Sequence, residues 1–230
     1  MARERVIRLG EDPDTVVLTG CPSIDIAAEV AARPGLDFDP FEKYGGVGAV
    51  SDLSRGYLVV MQHPVTTEYE EARQQVDETL YAVKDVGLPV LWFWPNVDAG
   101  SDGTSKGIRV FREREQPENF HFFRNMLPED FLRLLCGAFA IVGNSSVAIR
   151  ECSYLGVPAV NIGSRQEGRE RGRNVIDVGH DRAAITEAIR RHVANGRPAP
   201  DHLYGDGRAG DRIADTLATA DLRIEKRLTY

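Results

Sequence analysis

Gly143-Asn144-Ser145-Ser146-Val147-Ala148-Ile149-Arg150-Glu151 decides how this chain is read. An apolar run, Ala138 to Val142, precedes it and predicts a buried strand. Val147, Ile149, Cys152 and Leu155 follow at helical spacing. A strand, a small polar turn and a helix aim free backbone N–H groups at an anion. Asn144 or Ser145 is placed to cap that helix, and the serine hydroxyls add donors. Glu151 stands two turns in. An anion at the helix start and a carboxylate further along suit one ligand with a charged part and a hydroxylated part, as in a nucleotide. The same nine residues equally suit an ordinary capped helix after a strand.

Working outward, Tyr57–Gln62 and Pro89–Trp94 are continuous apolar runs, the pattern of strands covered on both faces. Asn119–Phe123, Phe139–Val142, Ala159–Ile162 and Asn174–Val178 read as further strands. Glu68–Val86, Gly103–Arg114, Pro128–Cys136 and Ile185–Val193 read as helices between them. This alternation predicts a doubly wound parallel sheet from about residue 56 to about residue 195. Towards the N-terminus, residues 1–10 read as a short charged helix, Val16–Thr19 as a short strand and Ile24–Val30 as a helix. Arg33–Arg55, rich in Gly, Pro and Asp, reads as a linker. Gly45-Gly46-Val47-Gly48 within it lacks the third glycine and the preceding strand of a dinucleotide loop, so it is assigned to the linker too. After a loop, Asn195–Asp206, a last helix is predicted from Gly207 to about Ala220.

Ligands of an open parallel sheet bind outside the carboxyl ends of its strands. There the chain places His63-Pro64-Val65-Thr66-Thr67-Glu68, Pro95-Asn96-Val97-Asp98, Gly143-Asn144-Ser145-Ser146 and Gly163-Ser164-Arg165-Gln166. One His, one Asn, a serine pair and one Arg are thus expected around one cavity. Taken singly, His63 also suits a rim histidine bonded to backbone, and Asn96 and Asp98 suit a shaped turn. Arg165, Arg169, Arg171 and Arg173, spaced by glycines, suggest a mobile, anion-facing loop, with a solvated loop as the plain alternative.

The 230 residues suffice for one large domain or for one domain plus fragments, and a 42% hydrophobic, 27% charged composition is that of a globular chain. A net charge of −7 speaks against a nucleic-acid surface. No apolar run is long enough for a membrane span, and Met-Ala-Arg-Glu-Arg is no signal sequence. Cys21, Cys136 and Cys152 form neither a disulfide nor a zinc framework, which fits a reducing, cytoplasmic setting. No metal-ligand spacing and no cofactor motif is present, so neither a metal nor a cofactor is expected.

Those rim motifs, with Arg150-Glu151, Gly156-Val157-Pro158, Asn161-Ile162-Gly163-Ser164-Arg165-Gln166, Gly168-Arg169-Glu170 and Tyr204-Gly205-Asp206-Gly207, run from near residue 16 to near residue 220. In kind and order they resemble UDP-N-acetylglucosamine 2-epimerases. The hydrolysing branch is the nearer likeness. The other branch has a His-Arg-Arg-Glu segment where this chain has His63-Pro64-Val65-Thr66. The resemblance implies a glycosyltransferase-B-like fold with its active site between two Rossmann-like domains. It implies that residues 1–55 are the tail of the first domain plus a hinge, 56–205 the UDP-binding second domain, and 206–230 a helix crossing back.

It further implies that Ser145 and Ser146 hold the UDP diphosphate, Glu151 the ribose hydroxyls, and Asn96 and Arg165 other parts of UDP. His63 resembles the catalytic histidine beside the diphosphate. The implied reaction is elimination of UDP to a 2-acetamidoglucal and hydration to N-acetylmannosamine, in the making of sialic-acid-type sugars. A UDP-sugar is the implied partner; a homo-oligomer, and a first domain supplied in cis or in trans, are left open. The isolated chain is expected to bind UDP weakly and to turn over no substrate. Two other classes compete. A glycosyltransferase donor domain would often carry a second Glu eight positions after the first, where this chain has Ala159. A non-catalytic UDP-sugar-binding module is the other.

Overall fold

The structure, a computed structural model, describes residues 2–221. In chain order it contains α1 (Ala2–Arg8), α2 (Pro22–Ala32), α3 (Pro40–Tyr44), β1 (Val47–Gly48) and β2 (Leu58–Met61). Then come α4 (Ala72–Val86), β3 (Val90–Phe93), α5 (Ser101–Glu115), β4 (Phe120–Phe123), α6 (Pro128–Gly137) and β5 (Ala140–Gly143). The last are α7 (Glu151–Leu155), β6 (Ala159–Ile162), β7 (Val175–Val178), α8 (Arg182–Asn195) and α9 (Ala209–Thr219).

The seven strands form one sheet in the order β1-β4-β3-β2-β5-β6-β7. All pairs are parallel except β1 with β4. The apolar runs explain themselves once the two faces are separated. Leu58, Val60, Val90, Trp92, Val142 and Val160 point to one face, where Val76, Leu80, Ile108, Phe111 and Ile189 of α4, α5 and α8 cover them. Their sequence neighbours Val59, Leu91, Phe93, Ile141 and Ala159 point to the other, against Ala27, Val30, Leu132, Leu135 and Cys152 of α2, α6 and α7. A period of two inside an unbroken apolar stretch is what a sheet buried on both sides demands.

Four expectations are corrected. Val16–Thr19 forms no strand. It is unpaired, with Val17 52% and Leu18 74% exposed, and the Val16 and Thr19 carbonyls accept from Arg3 and Arg212 side chains. A β-rich composition makes no strand where no sheet edge lies alongside. Residues 33–55, expected as linker, hold α3 and β1. Asp39 caps α3 by accepting from the N–H of Phe41 and Glu42, and Pro40 opens its first turn. β1 pairs Val47 with Phe122 and Gly48 with His121. A Cβ at Gly48, whose φ is +124°, would stand 2.2 Å from the Phe120 carbonyl oxygen, so these glycines serve close strand approach.

The helix expected over Glu68–Val86 is a 3-10 turn, Thr66–Glu71, broken at Glu68 and followed by α4. The helix after the central strand is also split, into a 3-10 turn at Ser146–Ala148 and the five residues of α7, with Arg150 between at ψ −77°. The final helix agrees with its expected place. α9 sits on α2, whose Asp25 carboxylate accepts from the N–H of Ala209 and Gly210, while Leu217 is exposed. The part of that expectation reaching residues 222–230 lies outside the described residues. No helix among the described residues is long and apolar enough to cross a membrane.

Candidate functional site

The chain builds β2, β3 and β4 in one direction and then returns to build β5, β6 and β7 in the other. β2 and β5 are therefore neighbours from which the connections diverge. The crevice outside their carboxyl ends is where ligands bind in such sheets. His63 follows β2 there, and Asn144 and Ser145 follow β5.

The ladder between these strands ends at Met61 opposite Gly143. Gly143 has φ +133°, and a Cβ on it would lie 2.2 Å from the Met61 carbonyl oxygen. No other residue allows so close a turn. The Asn144 N–H donates to that carbonyl at 3.2 Å. Of the two cap candidates, Asn144 and Ser145, the Asn144 side chain caps no helix. Instead its oxygen accepts from the His63 N–H at 2.8 Å, and its nitrogen donates to the His63 carbonyl at 2.8 Å. The Asn144 carbonyl accepts from Arg165 Nη1 at 3.2 Å and from Gln166 Nε2 at 2.7 Å. Ser145 takes the cap position of the 3-10 turn without a side-chain bond. Among the described residues, the N–H groups of Ser145, Ser146 and Val147 meet no protein acceptor.

His63 is 5% exposed, and its Nδ1 accepts the Asn96 N–H at 3.1 Å. That bond puts the ring proton on Nε2 when the imidazole is neutral. Burial pushes the pKa of His63 down to about 4; the Arg165 cation acts in the same direction and Asp98 against it. The histidine is thus a neutral Nε2–H donor at physiological pH. The plain expectation of a backbone-bonded rim histidine is met as well.

Two cavities share this rim. One, of about 610 Å³, is lined by His63, Asn96, Ser145 and Glu151, with Trp94, Met126 and Phe131 as an apolar wall. The other, of about 640 Å³, is lined by Ser146, Arg165, Arg169, Asp98, Glu68 and Thr66. The peptide links His63–Pro64 and Ser145–Ser146 join them, since each pair has one residue in each. The expectation that His63, Asn96, Ser145 and Arg165 surround a single cavity is corrected in part. The first three share one cavity, and Arg165 lines the second, drawn there by the Asn144 carbonyl and by Asp98 at 3.9 Å.

Glu151 is 7% exposed; Arg150 Nη2 donates to its Oε1 at 3.4 Å, and its buried Oε2 has no donor. Arg150 Nη2 also donates to Ser146 Oγ at 3.2 Å, tying the serine to the carboxylate. The loop after β6, expected as an anion-facing cluster, turns only some of its arginines to the rim. Arg171 turns inward, donating to Asp177 and to the carbonyls of Gln166 and Arg169, and the Glu170 carbonyl accepts from the Tyr204 hydroxyl. Only Arg165 and Arg169 of the four line a cavity beside the serines. Among the described residues no cluster of His, Cys, Asp or Glu could hold a metal ion.

Asn144, Gln166 and Arg150 lie in the segments read from sequence as rim or motif, but the sequence assigns them no role at the site. Arg150 had a signal, since it directly precedes Glu151 in a segment that otherwise reads apolar. The partners of Asn144 and Gln166 lie on other strands, and no local spacing announces them.

The family model described as UDP-N-acetylglucosamine 2-epimerase matches residues 1–218. The UDP-N,N'-diacetylbacillosamine 2-epimerase (hydrolyzing) of Legionella pneumophila is 28% identical over 225 residues, which cover 97% of this chain and 57% of that protein. The UDP-N-acetylglucosamine 2-epimerase of Neisseria meningitidis serogroup B is 29% identical over 224 residues, 93% of this chain and 54% of that protein. The chain thus spans about half the length of the curated relatives it matches. Among solved structures, the Methanocaldococcus jannaschii UDP-GlcNAc 2-epimerase in complex with UDP-GlcNAc and UDP superposes with a TM-score of 0.68 at 17% identity, covering 95% of this chain and 59% of that one. That likeness carries the fold alone.

Proposed function

The chain belongs to the UDP-N-acetylglucosamine 2-epimerase family, and from that premise we propose that it is the UDP-binding half of a hydrolysing epimerase, acting on UDP-N-acetylglucosamine in the making of sialic-acid-type sugars. The observation that carries the reading is the crevice between β2 and β5. There a neutral His63, the unpartnered N–H groups of Ser145 and Ser146, and the Arg165 cation stand beside a buried carboxylate, Glu151.

In this reading the apolar cavity takes the nucleoside, with Glu151 accepting from ribose hydroxyls and Asn96 at its edge. The diphosphate lies on Ser145 and Ser146, between the two cavities, with Arg165 beside it. The sugar's C2 proton is weakly acidic, so departure of UDP must lead. The C1–oxygen bond breaks with the electrons leaving on the diphosphate, and the C2 proton is lost to a base, giving the 2-acetamidoglucal. Water then adds, its oxygen to C1 and a proton to the opposite face of C2. Donors fixed before the reaction lower the cost of charge on the leaving group, because they need no reorganisation. His63 Nε2–H suits that task better than an imidazolium, which burial disfavours. The base, and the groups that read the sugar ring, are assigned to a first domain in cis or in trans.

Calorimetric titration with UDP and coupled detection of UDP release test the reading. UDP-N-acetylglucosamine and UDP-N,N'-diacetylbacillosamine are both offered, since relatives carry both names. UDP binding that is lost in Glu151→Ala supports it. Absence of any UDP binding refutes it.

A further inference from the structure

We infer that Asn144 is the positioning residue of this site, setting where His63 and Arg165 stand relative to each other across the crevice. The inference rests on the nucleotide-binding reading only for what the two groups do, not for how they are held. Asn144 is fully buried and lines neither cavity, so whatever it contributes passes through its partners.

Those partners come from two segments far apart in sequence, the end of β2 with the residues after it and the loop after β6. The main-chain N–H holds the end of β2 at Met61. The side-chain amide holds His63 by both its main-chain groups. The main-chain carbonyl takes Arg165 and Gln166 from the loop after β6. Beyond Met61 and Gly143 the two strands part, and the amide continues their ladder for one more residue. It acts there as a peptide group would, with one acceptor and one donor in a plane.

That requirement explains the residue type. Asp offers the acceptor without the donor. Gln carries the amide one methylene further, so it cannot make both 2.8 Å bonds to His63 without moving one of the two main chains. Ser or Ala would leave the N–H and C=O of a buried histidine without partners. The imidazole itself is aimed by a second bond, from Asn96, which works only while the His63 backbone stays in place. His63 faces one cavity and Arg165 the other, so Asn144, through its side chain and its main-chain carbonyl, sets the spacing of a neutral donor and a cation along the diphosphate of the proposed ligand.

The test uses the full chain with Asn144→Ala and the near-isosteric Asn144→Asp. The His63 ring is titrated by NMR, its signal assigned by loss in His63→Gln, and UDP affinity is measured by calorimetry. In the parent, Arg165 and Asp98 are the charged groups facing that ring. Asn144→Asp adds a carboxylate that raises a histidine midpoint by itself, so the midpoint is judged in Asn144→Ala. The expected result is a His63 midpoint raised by about one pH unit or more towards the ordinary value, as the ring loosens into water. UDP affinity should fall by about tenfold. Arg165→Met should cost less in the Asn144→Ala background than in the parent, the mark of two residues acting as one unit. A lower melting temperature with unchanged His63 midpoint and unchanged UDP affinity would make Asn144 a structural residue only and overturn the proposal. Should neither variant fold, amide exchange in the parent decides. A His63 N–H protected like the amides of β2 and β5 supports the clamp, and exchange at loop rates overturns it. A parent that binds no UDP refutes the nucleotide reading, while the His63 titration still judges Asn144.

Discussion

The Asn96 N–H donates to Nδ1 of His63 across 3.1 Å, and so links the loop after β3 to the residue after β2 through a ring nitrogen that must stay unprotonated. An imidazolium has no lone pair to accept that bond. Burial and hydrogen bonding therefore agree on a neutral ring, with a folded-state pKa of about 4 against an ordinary 6.5.

A pH dependence follows. Above about pH 6.5 the ring is neutral in both folded and unfolded chains, and its contribution to stability is fully present. As pH falls from about 6.5 to about 4, the unfolded chain takes up a proton that the folded one refuses, and stability drops. Each unit of the gap is worth roughly 1.36 kcal/mol, so the total is on the order of 3 kcal/mol. His180 and His192, also depressed by burial, are common to parent and variant. Urea unfolding at several pH values should show that His63→Gln loses less stability than the parent across this window. Parallel curves would contradict the burial argument.

Gly143→Ala should be among the most damaging single-methyl changes in the chain. It adds a Cβ 2.2 Å from a main-chain oxygen at a φ of +133°. Main chain in the middle of a sheet cannot yield, so a loss of more than about 3 kcal/mol is expected. Gly87→Ala is the control. Its φ is +77°, but nothing lies within 4 Å of the added atom, and a cost of about 1 kcal/mol is expected. Equal urea midpoints for the two variants would show that the close approach at Gly143 has no energetic weight.

The contrast between these glycines bears on what sequence discloses. The central strands were legible because Tyr57–Met61 and Pro89–Trp94 are apolar without interruption, the pattern of a sheet covered on both faces. The helix after β5 was legible only as a tendency. Val147, Ile149, Cys152 and Leu155 keep helical spacing, yet the backbone breaks at Arg150, whose side chain reaches Ser146 and Glu151. Periodicity reports which side of a segment is buried and is silent on a break that preserves the sides. β1 was invisible because two residues carry no pattern. Its pairing partner β4 lies more than seventy positions later, where the His121 ring contacts the carbonyls of Gly45 and Ala49.

The candidate site divides in the same way. Residues just past a strand end are found by counting from the strand, and His63, Asn96, Ser145 and Arg165 all come out at the carboxyl-end rim of the sheet. What each one touches is long-range. Asn144 and its partner His63 are 81 positions apart, and a local reading offers the asparagine only as one of two cap candidates beside Ser145. Arg171 shows the converse. In sequence it is a free cation in a glycine-rich loop, but Asp177 and two loop carbonyls occupy it.

Arg165 should matter to ligand and hardly to fold. Its side chain is 29% exposed, and its ion pair with Asp98 spans 3.9 Å, a geometry worth well under about 1 kcal/mol. Arg165→Met should therefore shift the unfolding midpoint little. It should weaken UDP about tenfold, flatten the salt dependence of UDP binding and leave uridine unaffected, since only the diphosphate lies in its reach. Calorimetry with both ligands separates the cases. Equal losses for uridine and UDP would place Arg165 away from the phosphates.

Glu151 carries the opposite expectation, that the fold gains what the ligand loses. One of its oxygens is held by Arg150, and the other is buried without a donor. An unpaired carboxylate oxygen removed from water costs on the order of 1–3 kcal/mol. A residue so placed persists where its cost is offset by function, here by ribose hydroxyls that would donate to the open oxygen. Glu151→Gln keeps the size and the acceptor facing Arg150 and removes the charge. The folded chain should become more stable by about 1 kcal/mol, while uridine and UDP both bind at least tenfold more weakly, because a neutral amide is the poorer acceptor for two hydroxyls. Urea unfolding and calorimetry on the same preparation read both effects. A variant that loses stability and keeps its uridine affinity would mean that the buried oxygen is satisfied within the protein, and Glu151 would then leave the list of ligand contacts.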